Sequence, residues 1–246
     1  MFGAEVGAGS RAHLRDTAAC LDTPAVWGSL SGWDNAYFTT RAHGFDPAQT
    51  HAALTNLFER AGLADQAHDP VCQYSYGMRR KLGLVQALAP DPALLVLDEP
   101  SAGVDAAFLL ELATLVRERC RRGRTTWLSS NDPDWIEGIA SRAVFLAGGR
   151  IVAADTVSAL LAQLAPLREL ELTLDTPHPL RTPELPGLEA FNQDGDTVRA
   201  LVGSDPHLVP QILDAVVDQG ASVRSLEVRR GTLRDVFLRV TGKGLD

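Results

Sequence analysis

Two adjacent carboxylates, Asp98 and Glu99, close the continuous apolar run Leu94-Leu-Val-Leu and are followed at once by Pro100. A run of that length bounded by turn residues predicts a strand buried on both faces. The end of such a strand is where a divalent-metal ligand and a group able to orient and deprotonate water are best placed. The same Asp-Glu-Pro tripeptide also suits an ordinary solvated turn. Upstream, Ser75 and Gly77 open a helical stretch, which sets a hydroxyl and a glycine amide at a helix N-terminus, where an anion can be met; Ser75 equally suits a plain helix cap. Downstream, Ser101-Ala-Gly-Val-Asp105 reads as a turn whose Asp105 can cap the next helix.

These residues need elements to hold them. Apolar positions recur at helical intervals from Trp33 to Gly62, through Leu54, Leu57, Phe58 and Ala61, so this stretch is expected to be an all-helical insert. A helix from about Tyr76 to Ala89, the strand after Asp91-Pro92, a helix over Ala106 to Cys120 and a short strand at Thr125 to Ser130 follow. Strand, helix and strand at that spacing make a parallel crossover unit. Arg142 to Leu146 and Arg150 to Ala153 flank Gly148-Gly149 as a hairpin. Met1 to Asp22 reads as short, irregular and glycine-rich. Around Ala165-Pro166 the composition shifts, and Pro177, Pro179, Pro183 and Pro186 predict a loop-like segment. A domain boundary is therefore expected at 164/165. Beyond it lie predicted strands at 170–174, 198–202 and 223–228, with helices at 208–218 and over Leu233 to Val240, a small α+β unit.

Bulk properties narrow the choice. The 246 residues with 45% hydrophobic content support a packed core, and 31 acidic against 23 basic side chains give a net charge of −8. No broad cationic surface is available for a phosphate backbone, so nucleic acid is not an expected partner. Cys20, Cys72 and Cys120 are far apart and in no metal-ligand spacing, which fits a reducing compartment. Every apolar run is too short to cross a bilayer, so a membrane role would be peripheral.

Taken together, Tyr74-Ser-Tyr-Gly-Met78, the helix after it and Leu94 to Asp105 resemble the second half of an ABC transporter ATPase domain. Tyr74 to Met78 resembles the signature motif, matching at Ser75 and Gly77 and departing at Tyr76 and Met78. Leu94 to Glu99 resembles the Walker B segment and Ser101 to Asp105 the D-loop. The closing stretch from Gly231 to Gly242 resembles the last helix of drug- and sodium-exporter ATPases. The resemblance implies an α/β P-loop nucleotide-binding fold, with a parallel-sheet core and a helical subdomain at about 30–90. It divides the chain into a partial ATPase domain over 1–164 and an accessory α+β domain over 165–246. It implies ATP and magnesium as cofactors, Asp98 acting on the metal through water, Glu99 as general base, and Ser75, Gly77 and Asp105 meeting nucleotide or signalling across a dimer.

Two positions depart from the family pattern. Asn131 stands where a histidine is usual, and a neutral amide cannot carry a proton; its alternative role is to cap the helix near Pro133. Asp22 stands where the Q-loop has glutamine or glutamate, keeping an oxygen on a shorter stem, or belongs to a turn set by Pro24. No G-x-x-x-x-G-K-[ST] sequence precedes these motifs, and Gly7-Ala8-Gly9-Ser10 reads as a plain glycine-rich turn. The chain alone is therefore expected to bind ATP poorly and to be inactive. The resemblance implies a cytoplasmic subunit at the inner face of the cell membrane. It would work with a membrane permease subunit, as a homo- or heterodimer with an ABC ATPase subunit. The alternative is a degenerate, non-hydrolytic subunit that lends its signature motif to a partner or scaffolds the permease. Trp27 and Trp33 are either docking anchors for the permease or core residues.

Overall fold

The computed structural model describes residues 16–163, 168–203 and 205–241; Gly7–Ser10 and Ala165-Pro166 lie outside them. The chain divides into two compact units, residues up to Asn131 and residues from Asp132 onward.

The first unit begins with β1 (Thr17–Cys20) and three helices, α1 (Gly32–Ala42), α2 (Pro47–Arg60) and α3 (Tyr76–Leu88), followed by β2 (Leu94–Asp98), α4 (Ala106–Arg121) and β3 (Thr125–Ser129). The helices start where short polar side chains satisfy free backbone amides. Ser31 accepts from the Asp34 amide, Ser75 from that of Met78 and Asp105 from that of Phe108, while Asp46 and Gln49 form a reciprocal capping box. β1, β2 and β3 form a parallel sheet in that order, so the carboxylate-bearing β2 is its central strand. α3 lies against β1 and α4 against β3. The buried Arg119 of α4 donates to Asp91 and to the Pro92 carbonyl, 2.8 Å, which anchors the turn entering β2.

Two sequence expectations change here. β1 falls in the stretch read as irregular, because Thr-Ala-Ala-Cys carries too little apolar weight to announce a strand by itself; parallel pairing with β2 makes it one. β2 is also not buried on both faces. Leu95 and Leu97 are buried, but Leu94 and Val96 are half-buried, and Trp127, opposite Val96 on β3, is 69% exposed. The helices cover one side of this sheet, and among the described residues the other side is open.

The second unit contains α5 (Pro133–Ile139), the hairpin β4 (Arg142–Ala147) and β5 (Arg150–Thr156), α6 (Val157–Ala162), and β6 (Arg168–Leu174). It continues with β7 (Leu188–Asp194), β8 (Thr197–Val202), α7 (Leu208–Asp218), β9 (Val223–Arg230) and α8 (Leu233–Thr241). β6 to β9 make an antiparallel sheet in the order β7-β8-β6-β9, whose core of Leu170, Leu172, Val198 and Val202 packs with Leu208, Ile212 and Val216 of α7. β7 went unread within the proline-rich stretch; Gly195, with φ +60°, makes the tight turn that folds it back on β8. A second cluster joins Ala143, Val157 and Leu160 to Leu233 and Val236 of α8, with the Phe145 and Phe237 rings 5.5 Å apart. This cluster draws residues from both sides of 164, so the compact division falls at Asn131/Asp132, upstream of the expected 164/165. No helix among the described residues is long and apolar enough to cross a membrane.

Candidate nucleotide site

Parallel pairing sets Asp98, the last residue of β2, opposite Ser129, the last of β3. The Ser129 hydroxyl donates to Asp98 Oδ1 at 2.6 Å and accepts from the Glu99 amide at 3.1 Å. Glu99 then takes φ +44°, a left-handed conformation uncommon for a residue with a side chain. That turn lets Glu99 Oε2 accept from the Asn131 amide at 3.3 Å. Asp98, Glu99 and Asn131 are thus gathered at the sheet's carboxyl edge, with the Asn131 backbone making the link. The cap of α5 is Asp132 and not Asn131: its carboxylate accepts from the Asp134 and Trp135 amides.

Beneath this edge lies Arg80, fully buried in α3. Its guanidinium donates to four main-chain carbonyls: Leu21, Asp22 at 2.6 Å, Asp98 at 2.5 Å and Glu99 at 2.6 Å. One planar fork therefore ties the segment after β1 to the end of β2, and it brings Asp22 into the group through its backbone. The Asp22 side chain is exposed. Cys20 sits in this layer, its thiol pushed up to about 11 by burial, with Arg80 opposing and the Asp98 charge adding to the rise. Cys72 and Cys120 are exposed. A thiol reagent at pH 8 is therefore expected to label Cys72 and Cys120 in the native chain and Cys20 only after denaturation, read as two and then three adducts by intact mass; native labelling of Cys20 would contradict this packing.

The second grouping surrounds the start of α3. Ser75 is exposed and its Oγ accepts from the Met78 amide at 3.2 Å. A Cβ at Gly77 would lie 2.9 Å from the Gly103 carbonyl oxygen, and one at Gly103, whose φ is +73°, would lie 2.4 Å from the Tyr76 ring. The Ser75–Gly77 and Ser101–Asp105 segments are therefore in direct contact, and both glycines are required by the closeness of that approach. Asp105 accepts from the Phe108 amide at 2.9 Å and pairs with Lys81 Nζ at 2.5 Å. Lys81 in turn lies 5.3 Å from the Phe108 ring centroid.

Lys81 first, then the Phe108 amide, holds the Asp105 carboxyl below the usual carboxylate range. A depressed carboxylate adds stability above its unfolded pKa, and that contribution disappears as pH falls through the folded value. Asp105→Asn is thus expected to destabilise the chain at pH 7 by an amount that shrinks as pH falls below the usual carboxylate range, read from urea melts over a descending pH series. The group is largely exposed, so the effect is modest.

Arg80, Lys81 and Ser129 were not singled out from sequence. Arg80 had a signal: it lies in helical register with Leu84 and Ala87, in the stripe that packs inward, where an arginine needs a partner set. Of the two tryptophans, Trp33 is half-buried against the His51 and Phe58 rings at 5.0 and 5.6 Å, a packing role. Trp27 is 57% exposed, and the buried Asn35 clasps its backbone, accepting from the Trp27 amide at 2.7 Å and donating to its carbonyl at 3.0 Å.

A parallel sheet with carboxylates at the carboxyl end of its central strand, beside a helical insert whose last helix opens on serine and glycine, defines an α/β nucleotide-binding domain. Residues 4–102 match the ABC transporter domain family. The chain is 32% identical over 213 residues to the Nod factor export ATP-binding protein I of Rhizobium etli, covering 87% of this chain and 66% of that one. It is 30% identical over 228 residues to a fluoroquinolones export ATP-binding protein of Mycobacterium tuberculosis, covering 92% and 67%. A solved ATP-binding subunit of an ABC transporter superposes with a TM-score of 0.57 at 25% identity, over 61% of this chain and 62% of that one. The chain belongs to the ABC transporter family. It spans about two thirds of the length of these relatives.

Proposed function

We propose that this chain acts as an ATP-binding subunit that couples nucleotide hydrolysis to export through a separate membrane permease. The placement of Asp98 and Glu99 on the central strand carries this reading, with Ser129, the Asn131 amide and Arg80 fixing both residues. Glu99 would accept the proton of an attacking water, and Ser75 and Gly77 would meet phosphate oxygens across a dimer of ATPase subunits. Among the described residues no three His, Cys, Asp or Glu side chains form a metal cage. Asp98, a carboxylate at the carboxyl end of the central strand, suits magnesium, which usually takes one or two carboxylates and completes its shell with phosphate oxygens and water. Asp98 would hold it through water, and when bound it would neutralise charge building on the phosphates. Trp27 and Phe38, 57% and 53% exposed, are the proposed docking points for the permease, which would place the subunit at the inner face of the cell membrane.

A second reading is favoured by the cations. Arg80 is committed to carbonyls, Lys81 to Asp105, and Arg60 to Glu111 and Glu118. In that reading the chain lends Ser75 and Gly77 to nucleotide held by a complete partner subunit. An ATPase assay of the 246-residue chain, alone and mixed with a complete ATP-binding subunit and permease, separates the two. No turnover is expected from the chain alone, whose residues include no phosphate-loop lysine. Stimulation in the mixture that Ser75→Arg removes and Glu99→Gln leaves intact would support signature donation, stimulation that Glu99→Gln also removes would support hydrolysis by this chain, and a mixture with no stimulation would count against both readings.

A further inference from the structure

β9 is an edge strand, paired to β6 on one side alone among the described residues, and every residue from Arg224 to Arg229 is exposed. An unpaired edge of that length is a template for another strand, and soluble sheets usually blunt such edges with proline, a bulge or inward charge. The 225–229 stretch contains no proline and pairs with β6 in regular register; the one irregularity of the ladder skips Arg224, near the start of the strand. Leu226 pairs with Leu172 and Val228 with Leu170. Paired residues share a face, so Leu226 and Val228 belong to the same side of the sheet as two fully buried leucines. They are nevertheless 36% and 48% exposed. α7 covers β6 and β8 and leaves this margin of the core uncovered.

The charges select an occupant. On the other face Glu227 lies opposite Glu171, a like-charge pair that the ladder would otherwise avoid. Arg199 serves Glu171 at 2.9 Å, and Glu227 has Arg229, two residues along its own strand, at 2.9 Å with both side chains more than half exposed. Two copies of β9 meeting antiparallel about a two-fold axis normal to the sheet can pair only positions of like parity. Centred on Glu227, that pairing sets two glutamates face to face; centred on Leu226, it pairs Glu227 with Ser225. Centred on Val228, it sets Val228 against its own copy and Glu227 against Arg229 of the second chain, twice. That register covers the exposed apolar margin and gives each Glu227 a second arginine. The exposed pair it rearranges is of the kind worth about 0–1 kcal/mol.

We infer that β9 is a seam through which two copies of this chain associate, antiparallel, joining their sheets edge to edge with Val228 on the axis. The association requires no nucleotide and is independent of the proposed ATP chemistry. Sedimentation velocity of the whole chain without ATP, over about 1–100 µM, tests it. A reversible dimer is expected. Glu227→Arg and Arg229→Glu should each weaken it by about tenfold or more, and the double exchange Glu227→Arg/Arg229→Glu should restore it to within about threefold of the parent. Amide hydrogen exchange of residues 224–229 in the unsubstituted chain should slow as concentration rises, a readout that needs no variant. A monomer throughout, a dimer that forms only with ATP, a dimer indifferent to the exchanges, a double variant as weak as the singles, or concentration-independent exchange at 224–229 would each overturn the inference.

Discussion

Replacing Arg80 with alanine is expected to lower the unfolding free energy by about 3–5 kcal/mol, the largest single-site effect on stability in this chain. The guanidinium is inaccessible to solvent and its four acceptors are main-chain carbonyls at the carboxyl ends of β1 and β2. Alanine removes the donors and leaves those oxygens facing a cavity. Each unpaired buried acceptor costs about 1–3 kcal/mol, and water entering the space recovers only part of it. Arg80→Lys should fall between the two, because an ammonium keeps the charge but cannot span four acceptors with a rigid fork. Urea titration followed by far-UV circular dichroism measures both. A loss under about 1 kcal/mol for the alanine variant would mean that the two strand ends hold their positions without the clamp.

The largest expected effect on activity is at Gly77. In an assembly with a complete ATP-binding subunit and permease, Gly77→Asp should reduce turnover by about 100-fold or more. A Cβ at this position would come within 2.9 Å of the Gly103 carbonyl oxygen, so any side chain must push apart the two segments that meet there. Aspartate also places negative charge at the start of α3, where phosphate oxygens would approach. Gly77→Ala supplies the crowding without the charge and should cost several-fold less. Equal losses for the two variants would assign the effect to packing, and full activity in both would remove Gly77 from nucleotide contact. Melting temperatures of the two variants, expected to fall by similar amounts because they share the crowding, separate loss of function from loss of fold.

The order of elements from α1 to β3 was readable because it rests on local signals: capping residues before apolar periodicity, and a dense apolar run between turn residues. α7 was readable for the same reason. β1 and β7 were not, since neither Thr-Ala-Ala-Cys nor Leu-Glu-Ala-Phe-Asn-Gln-Asp is a strand until a neighbour pairs with it. The site divided along the same line. Asp98, Glu99, Ser75 and Gly77 could be named because their chemistry and spacing are written in contiguous motifs. Arg80 and Ser129 act through contacts 18 to 59 and 30 to 31 positions away, which no contiguous motif displays. Asn131 was noticed for its side chain, whereas its amide makes the contact. Likewise, the expected 164/165 boundary followed composition, but the cluster of α6 and α8 crosses it.

The left-handed backbone of Glu99 has a consequence for the balance between folding and chemistry. Glycine at this position would relax the main chain, so Glu99→Gly should leave the melting temperature unchanged or raise it slightly, even though a carboxylate and its bond to the next strand's loop are lost. A position where the wild-type residue is the less comfortable tenant is one where thermal screening would reward the wrong variant. Stabilisation libraries built on this protein should therefore leave residue 99 untouched and seek their gains at relaxed surface positions.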